Sequence, residues 1–136
     1  MVQWHEKSDK KASGGRRQTV NRCDKKKAWM GGSAANTKTQ ENSKEDRKER
    51  KGRGNTKRVR LTHTQYANVV MDKKTNKIQK LAVIAVKTND ANRLFARSNI
   101  STKGAIIRVK VGSEEKVAKV TSRPGQNGTV NATLLE

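Results

Sequence analysis

Apolar and polar positions alternate with a period of two through most of the second half of this chain. Val59 and Leu61 alternate with Arg58 and Arg60, and a second strand-like run extends from Tyr66 to Met71. Residues 72–76 are polar and predict a turn. The run from Ile78 to Val86 holds the longest apolar stretch, Leu81-Ala82-Val83-Ile84-Ala85-Val86, which has the length of a strand. Asn89 to Asn92 marks the next break. Ile107, Val109 and Val111 then alternate with Ile106, Arg108 and Lys110, the pattern of a half-buried strand. Gly112-Ser113 predicts a two-residue hairpin turn of type II′, because glycine takes a positive φ freely. Val117 to Thr121 returns, and Pro124-Gly125-Gln126-Asn127-Gly128 reads as a tight turn. Val130, Ala132 and Leu134 close the pattern.

Fourteen Val or Ile fall between residues 61 and 136, and apolar spacing marks no amphipathic helix of more than about two turns. The prediction is an all-β domain over residues 56–136, a small six-stranded (five to seven) barrel or sandwich with a turn roughly every ten residues. Closure into a barrel removes the edges that a small sheet otherwise exposes.

Residues 1–60 have no such pattern. They hold 19 Lys/Arg, 7 Asp/Glu and only 12 of the 42 apolar residues. A segment that poor in apolar surface cannot offset its own ordering entropy. Residues 1–55 are therefore expected to be a basic N-terminal extension, ordered by its partner, with independent order starting near residue 56. Gly14-Gly15, Gly31-Gly32, Gly52 and Gly54 punctuate it. Glu41 to Lys51 mixes acids and bases without an apolar face, and predicts a loop or a transient helix.

Charge then narrows the partner. The chain of 136 residues has a net charge of +20, which is too high for an ordinary soluble enzyme and calls for a polyanion, nucleic acid above all. Lys and Arg that neutralise phosphates release counterions and give affinity without sequence readout. Arg16, Arg17, Arg22, Lys25, Lys26 and Lys27 in the extension are candidate RNA contacts, as are Arg53, Lys57, Arg58 and Arg60 at the entry to the barrel. Trp4 and Trp29 lie where no core can form. They are expected to stack on bases or pack into an RNA groove, the alternative being a lid folded back on the barrel.

Catalytic chemistry finds no constellation. His5 and His63 are the only histidines, and His5, in the extension, is expected to contact phosphate or base rather than act as an acid or base beside His63. Gly52-Arg53-Gly54-Asn55-Thr56-Lys57 lacks P-loop spacing and leads into a strand. The single cysteine, Cys23, excludes an internal disulfide and a multi-cysteine zinc site. No cofactor, metal, small-molecule substrate or membrane partner is expected. Residues 1–30 lack the apolar stretch of a signal peptide, so the sequons at Asn99, Asn127 and Asn131 read as chance matches and the compartment as the cytoplasm.

Five segments carry a resemblance to a known family. They are Trp4-His5 with Ser8, Lys11 and Gly14-Gly15-Arg16; Gly31 with Ala35-Asn36-Thr37-Lys38; Gly52-Arg53-Gly54-Asn55 with Lys57-Arg58-Val59-Arg60-Leu61 and Tyr66-Ala67-Asn68-Val69; Asn99-Ile100 with Thr102-Lys103-Gly104-Ala105-Ile106-Ile107; and Val120-Thr121-Ser122-Arg123-Pro124-Gly125-Gln126 running to Asn131-Ala132 and Leu134-Leu135-Glu136. In this order they resemble the eight-e family of small-subunit ribosomal proteins, in its short archaeal form. The resemblance implies a barrel-like β domain and an arm threaded into ribosomal RNA, with neighbouring ribosomal proteins as further partners. It adds Lys11, Lys38, Lys103 and Arg123 to the candidate RNA contacts. The extension departs from the family's usual arm, which is richer in Arg and Pro: here Gln18, Thr19, Val20 and Asn21 interrupt the basic run.

The resulting expectation is a structural constituent of the small subunit, without enzymatic activity. A ribosome-biogenesis factor that shares the domain is the nearest alternative, although such a factor is expected to be longer. A basic ribonuclease needs a histidine pair held by the fold, and a DNA-compacting protein would bind duplex DNA as tightly as structured RNA.

Overall fold

The computed structural model describes residues 3–5, 7–18, 22, 23, 25–39, 44–52, 54–72 and 76–135. The chain forms two compact units, Met1–Ala34 and Ala35–Glu136. In the first, β1 (Gln3–Trp4) pairs antiparallel with β2 (Met30–Gly31), which directly follows a 3-10 turn at Lys27–Trp29. Residues 9–17 fold into a small hairpin in which Lys10 bridges Arg16, Lys11 N–H donates to the Gly15 carbonyl at 2.8 Å and Arg17 N–H to that of Asp9 at 2.7 Å.

The second unit is all-β. It opens with β3 (Lys38–Thr39), β4 (Asp46–Lys51) and β5 (Lys57–Thr64), a three-stranded sheet with β5 in the centre, parallel to β3 and antiparallel to β4. Then follow β6 (Tyr66–Asp72), β7 (Lys77–Thr88), the short helix α1 (Arg93–Arg97), β8 (Ile106–Val111), β9 (Glu114–Val120), the one-turn helix α2 (Pro124–Asn127) and β10 (Asn131–Leu134). Strands β6, β7, β8 and β9 run in an antiparallel meander. β10 closes the barrel by pairing antiparallel with β9 and parallel with β6. The closed barrel thus has five strands, inside the range the sequence pattern allows.

A barrel of five strands has a narrow interior, and its inward side chains are correspondingly small. Ala67, Val69, Ile107, Val109, Ala118, Val120 and Ala132 fill it, with Leu61 from β5 and Val130 in the same core. Val83 and Val86 are also buried although three residues apart. The pairing register of β7 with β8 shifts between Val83 and Ala85, and a bulge of this kind turns both valines inward. That is why the apolar stretch Leu81–Val86 shows no alternation.

Two local expectations change. Asp46–Lys51 is a strand, not a loop or transient helix, because it is hydrogen-bonded along β5 from Arg47↔Leu61 to Lys51↔Lys57; pairing overrides the absence of an apolar face. β3 and β4 thus lie within the residues that composition assigns to the extension. The segment 124–128 is a helical turn capped by Gly128 at φ 71°, whose N–H donates to the Pro124 carbonyl at 3.1 Å. The hairpin turn stands as read: Val111 pairs with Glu114, and Gly112 has φ 62° while Ser113 keeps a non-positive φ, the type II′ pattern. Of the predicted turn at 72–76, residues 73–75 lie outside the described residues.

Two glycines separate backbone strain from steric fit. A Cβ on Gly112 meets nothing within 4 Å, whereas one on Gly128 falls 2.7 Å from Val59 Cγ1. Gly112→Ala is expected to cost about 1 kcal/mol, from the positive φ alone. Gly128→Ala adds overpacking of about 1–3 kcal/mol. Urea unfolding of the two variants checks this; equal midpoints would show that the Val59 contact yields freely.

Candidate nucleic-acid interface

Three exposed cations, Lys38, Lys103 and Arg123, each adjoin a hydroxyl residue that is hydrogen-bonded into the fold. Lys38 lies between Thr37 and Thr39, which are 2% and 1% exposed. Thr37 Oγ1 donates to the Leu61 carbonyl at 2.6 Å, and Thr39 Oγ1 lies 2.8 Å from Ser101 Oγ. The backbones of the two segments are tied as well: Thr39 N–H donates to Asn99 O and Ser101 N–H to Thr37 O, each at 2.9 Å. Asn89 fastens the far side, donating through Nδ2 to Ile100 O at 3.0 Å and accepting at Oδ1 from Thr102 Oγ1 at 2.9 Å and Ala91 N–H at 3.1 Å. Lys103 follows directly on Thr102. Lys38 and Lys103 therefore project from segments with little freedom left to lose on binding, which lowers the entropic cost of holding a ligand.

Arg123 is mounted in the same way. Buried Ser122 donates through Oγ to Thr129 O at 2.9 Å and accepts from Asn131 N–H at 2.8 Å, while Pro124 on the other side begins α2. A Cβ added to Gly125 would lie 2.9 Å from Ala35 Cβ, so the Arg123 segment packs closely on the residues just before Lys38. The Ala35–Lys38, Asn99–Lys103 and Ser122–Gly125 motifs, far apart in sequence, are thus brought to one braced region. Among the described residues no buried side-chain nitrogen or oxygen lacks a hydrogen-bond partner.

The other candidates fall into two groups. Lys57, Arg58 and Arg60 lie on β5, with Arg60 half-buried; Arg53 lies outside the described residues. Trp4, His5, Lys11, Arg16, Arg17, Arg22, Lys25, Lys26, Lys27 and Trp29 belong to the first unit. The 9–17 hairpin gathers Lys11 with Arg16 and Arg17. Pairing of Trp4 with Met30, and donation from His5 N–H to Trp29 O at 2.7 Å, draw the two tryptophan segments together. Both tryptophans stay half-exposed, and Lys26 Nζ sits 4.9 Å from the centre of the Trp29 ring, within cation–π range. His63 faces Lys38 on one side and Asp46 on the other across the sheet. Among the described residues no three His, Cys, Asp or Glu converge on a metal position, and no helix is long and apolar enough to cross a membrane.

Sequence reasoning passed over two sets. The buried hydroxyls and amides that hold the loops (Thr37, Thr39, Asn89, Ser101, Ser122) carry no charge and lie in irregular segments or, for Thr39, in a two-residue strand, so neither charge nor periodicity marks them. Lys48 and Arg50 read from the sequence as part of a basic cluster in the extension, and only the strand that carries them sets them on one face.

Fold and site together define a small all-β protein whose exposed cations stand on braced loops and strands. A family model described as Ribosomal protein S8e matches residues 4–135. The chain is 45% identical over 132 residues to the small ribosomal subunit protein eS8 of Methanococcus aeolicus, covering 97% of this chain and 96% of that one. It is 41% identical over 136 residues to the protein of the same name from Ignicoccus hospitalis, covering 100% and 98%, and 41% over 133 residues to that of Methanocorpusculum labreanum, covering 98% of each. The chain belongs to the Ribosomal protein S8e family.

The bracing can be tested apart from binding. Asn89→Ala leaves the Ile100 carbonyl and the Thr102 hydroxyl without their partner and is expected to cost about 2 kcal/mol. The amides of Thr39 and Ser101 are expected to exchange with solvent faster than in the wild type. Unchanged exchange there would mean that the Asn99–Lys103 segment is held without Asn89.

Proposed function

We propose that this protein is a structural constituent of the small ribosomal subunit that binds ribosomal RNA and has no catalytic role. The observation that carries the reading is its end-to-end relation to proteins named for that subunit, on a chain with 32 Lys and Arg against 12 Asp and Glu. Its place is the cytoplasmic ribosome, and its partners are small-subunit RNA and adjoining ribosomal proteins.

Two modes of contact share the binding. Lys38, Lys103 and Arg123, on braced segments, meet phosphates whose positions are set by the barrel's docking, so they recognise RNA shape. The basic N-terminal extension, including Lys11, Arg16, Arg17, Arg22 and Lys25 to Lys27, orders on RNA and bridges helices that would otherwise repel each other. Arg53, Lys57, Arg58 and Arg60 seat the barrel where extension and barrel meet. Trp4 and Trp29 stack on bases or fill a groove, and His5 adds a polar contact to phosphate or base.

Replacing Arg16, Arg17, Lys25, Lys26 and Lys27 with Ala tests this division. Affinity for small-subunit RNA is expected to fall, and the slope of log K against log salt to flatten by up to roughly 0.7–0.9 per lost contact. Thermal unfolding of the free protein is expected to stay at the wild-type temperature, because these five side chains are exposed. Wild-type affinity and slope in that variant would make the extension a passive tail.

A further inference from the structure

We propose that the outward face of the β4–β5 ribbon is a site for the phosphodiester backbone of RNA, formed by Lys48, Arg50, Arg58 and Arg60. The inference rests on the RNA-binding reading above and adds two residues to it, on a surface that only the strand register defines.

Register makes the face. Lys48 stands directly opposite Arg60, and Arg50 directly opposite Arg58. Directly opposed residues share a face and lie about 4.5–5.5 Å apart, while the next pair on that face is about 6.8 Å along the strand. Four cations therefore form a two-by-two array. The intervening residues point the other way. Val59 there packs against Gly128, and Leu61 enters the core, which leaves the cationic face outward.

Like charges directly opposed across a sheet destabilise it, and at these positions β5 is paired with β4 alone, because β3 meets it only at His63 and Thr64. A merely solvated face has no need of such pairs, and the same molecule builds one without them. In the β8–β9 hairpin Lys110 lies opposite Glu115, Arg108 Nη1 is 3.6 Å from Glu115 Oε2, and Lys116 Nζ is 3.9 Å from Glu114 Oε2. On the ribbon, the carboxylate of Glu49 is on the barrel-side face, 3.9 Å from Lys57 Nζ. The carboxylate at the end of the cationic face, Asp46, accepts from Thr62 Oγ1 at 2.5 Å and lies 3.9 Å from Lys48 Nζ. Arg50 and Arg58 have no carboxylate partner among the described residues. An anion with repeated charges at strand-like spacing spans both pairs together. A nucleic-acid backbone supplies it, whereas a single small anion reaches only one pair.

The test removes the central pair. Arg50→Thr with Arg58→Thr places two good strand formers opposite each other, so the free protein is expected to keep or raise its urea midpoint. Binding to small-subunit RNA is expected to weaken and the salt slope to flatten by roughly 1.4–1.8, so that the variant loses about sevenfold to twelvefold less affinity than wild type between 50 and 200 mM salt. Arg50→Gln with Arg58→Gln is a second pair with the same expectation, should the threonines disturb the ribbon. Arg108→Thr with Lys110→Thr removes equal charge from β8–β9 and is expected to retain the wild-type slope. A wild-type slope in both ribbon variants overturns the site while leaving the RNA-binding reading intact. Equal flattening in the β8–β9 control also overturns it, because net charge would then be the cause. Wild-type protein that fails to bind the RNA at all overturns the reading and the site together.

Discussion

Self-repulsion is the constraint on which the rest of this molecule depends. A net charge of +20 on 136 residues works against any compact state, and compaction must come from interactions that do not need balanced charge. The ion pairs seen among the described residues lie at the surface, at 2.9–3.9 Å, between side chains that are 30–78% exposed. Pairs of that kind are worth little. What holds the second unit is a closed barrel with a core of Val, Ile and Ala, and a set of neutral buried polar groups at its loops.

The choice of neutral groups follows from the same constraint. Thr37, Thr39, Asn89, Ser101 and Ser122 are nearly or fully buried, and each is hydrogen-bonded. A buried Lys or Asp in their place would need a paired countercharge and would pay a large desolvation cost. Hydroxyls and amides tie loop to loop without adding charge, so the cations of the described residues stay exposed, apart from half-buried Arg60. Rigid loops and outward cations are thus two results of one arrangement, and a polyanion is the partner it suits.

The legible part of the fold was the part with period-two alternation. Ile107, Val109 and Val111 gave β8 directly, and Gly112-Ser113 gave its turn, because both signals are local. Asp46–Lys51 was not legible: its six residues are all charged, and only the register with Lys57–Leu61 makes them a strand. Leu81–Val86 hid a bulge, since a register shift leaves no mark on composition. At the site, Lys38, Lys103 and Arg123 entered through motifs, but their bracing arises from contacts across the fold, some between positions as distant as Thr39 and Ser101. Lys48 and Arg50 show how far function depends on register, for the same charges in a solvated loop would form no array.

The central claim, that RNA of the small subunit is what these cations are built to meet, is tested most directly by mass spectrometry across a sucrose gradient of ribosomal particles from the native cells. Peptides of this chain are predicted to peak with the small subunit and to rise and fall with its other proteins. A peak among free proteins at the top of the gradient, or with the large subunit, would contradict the account.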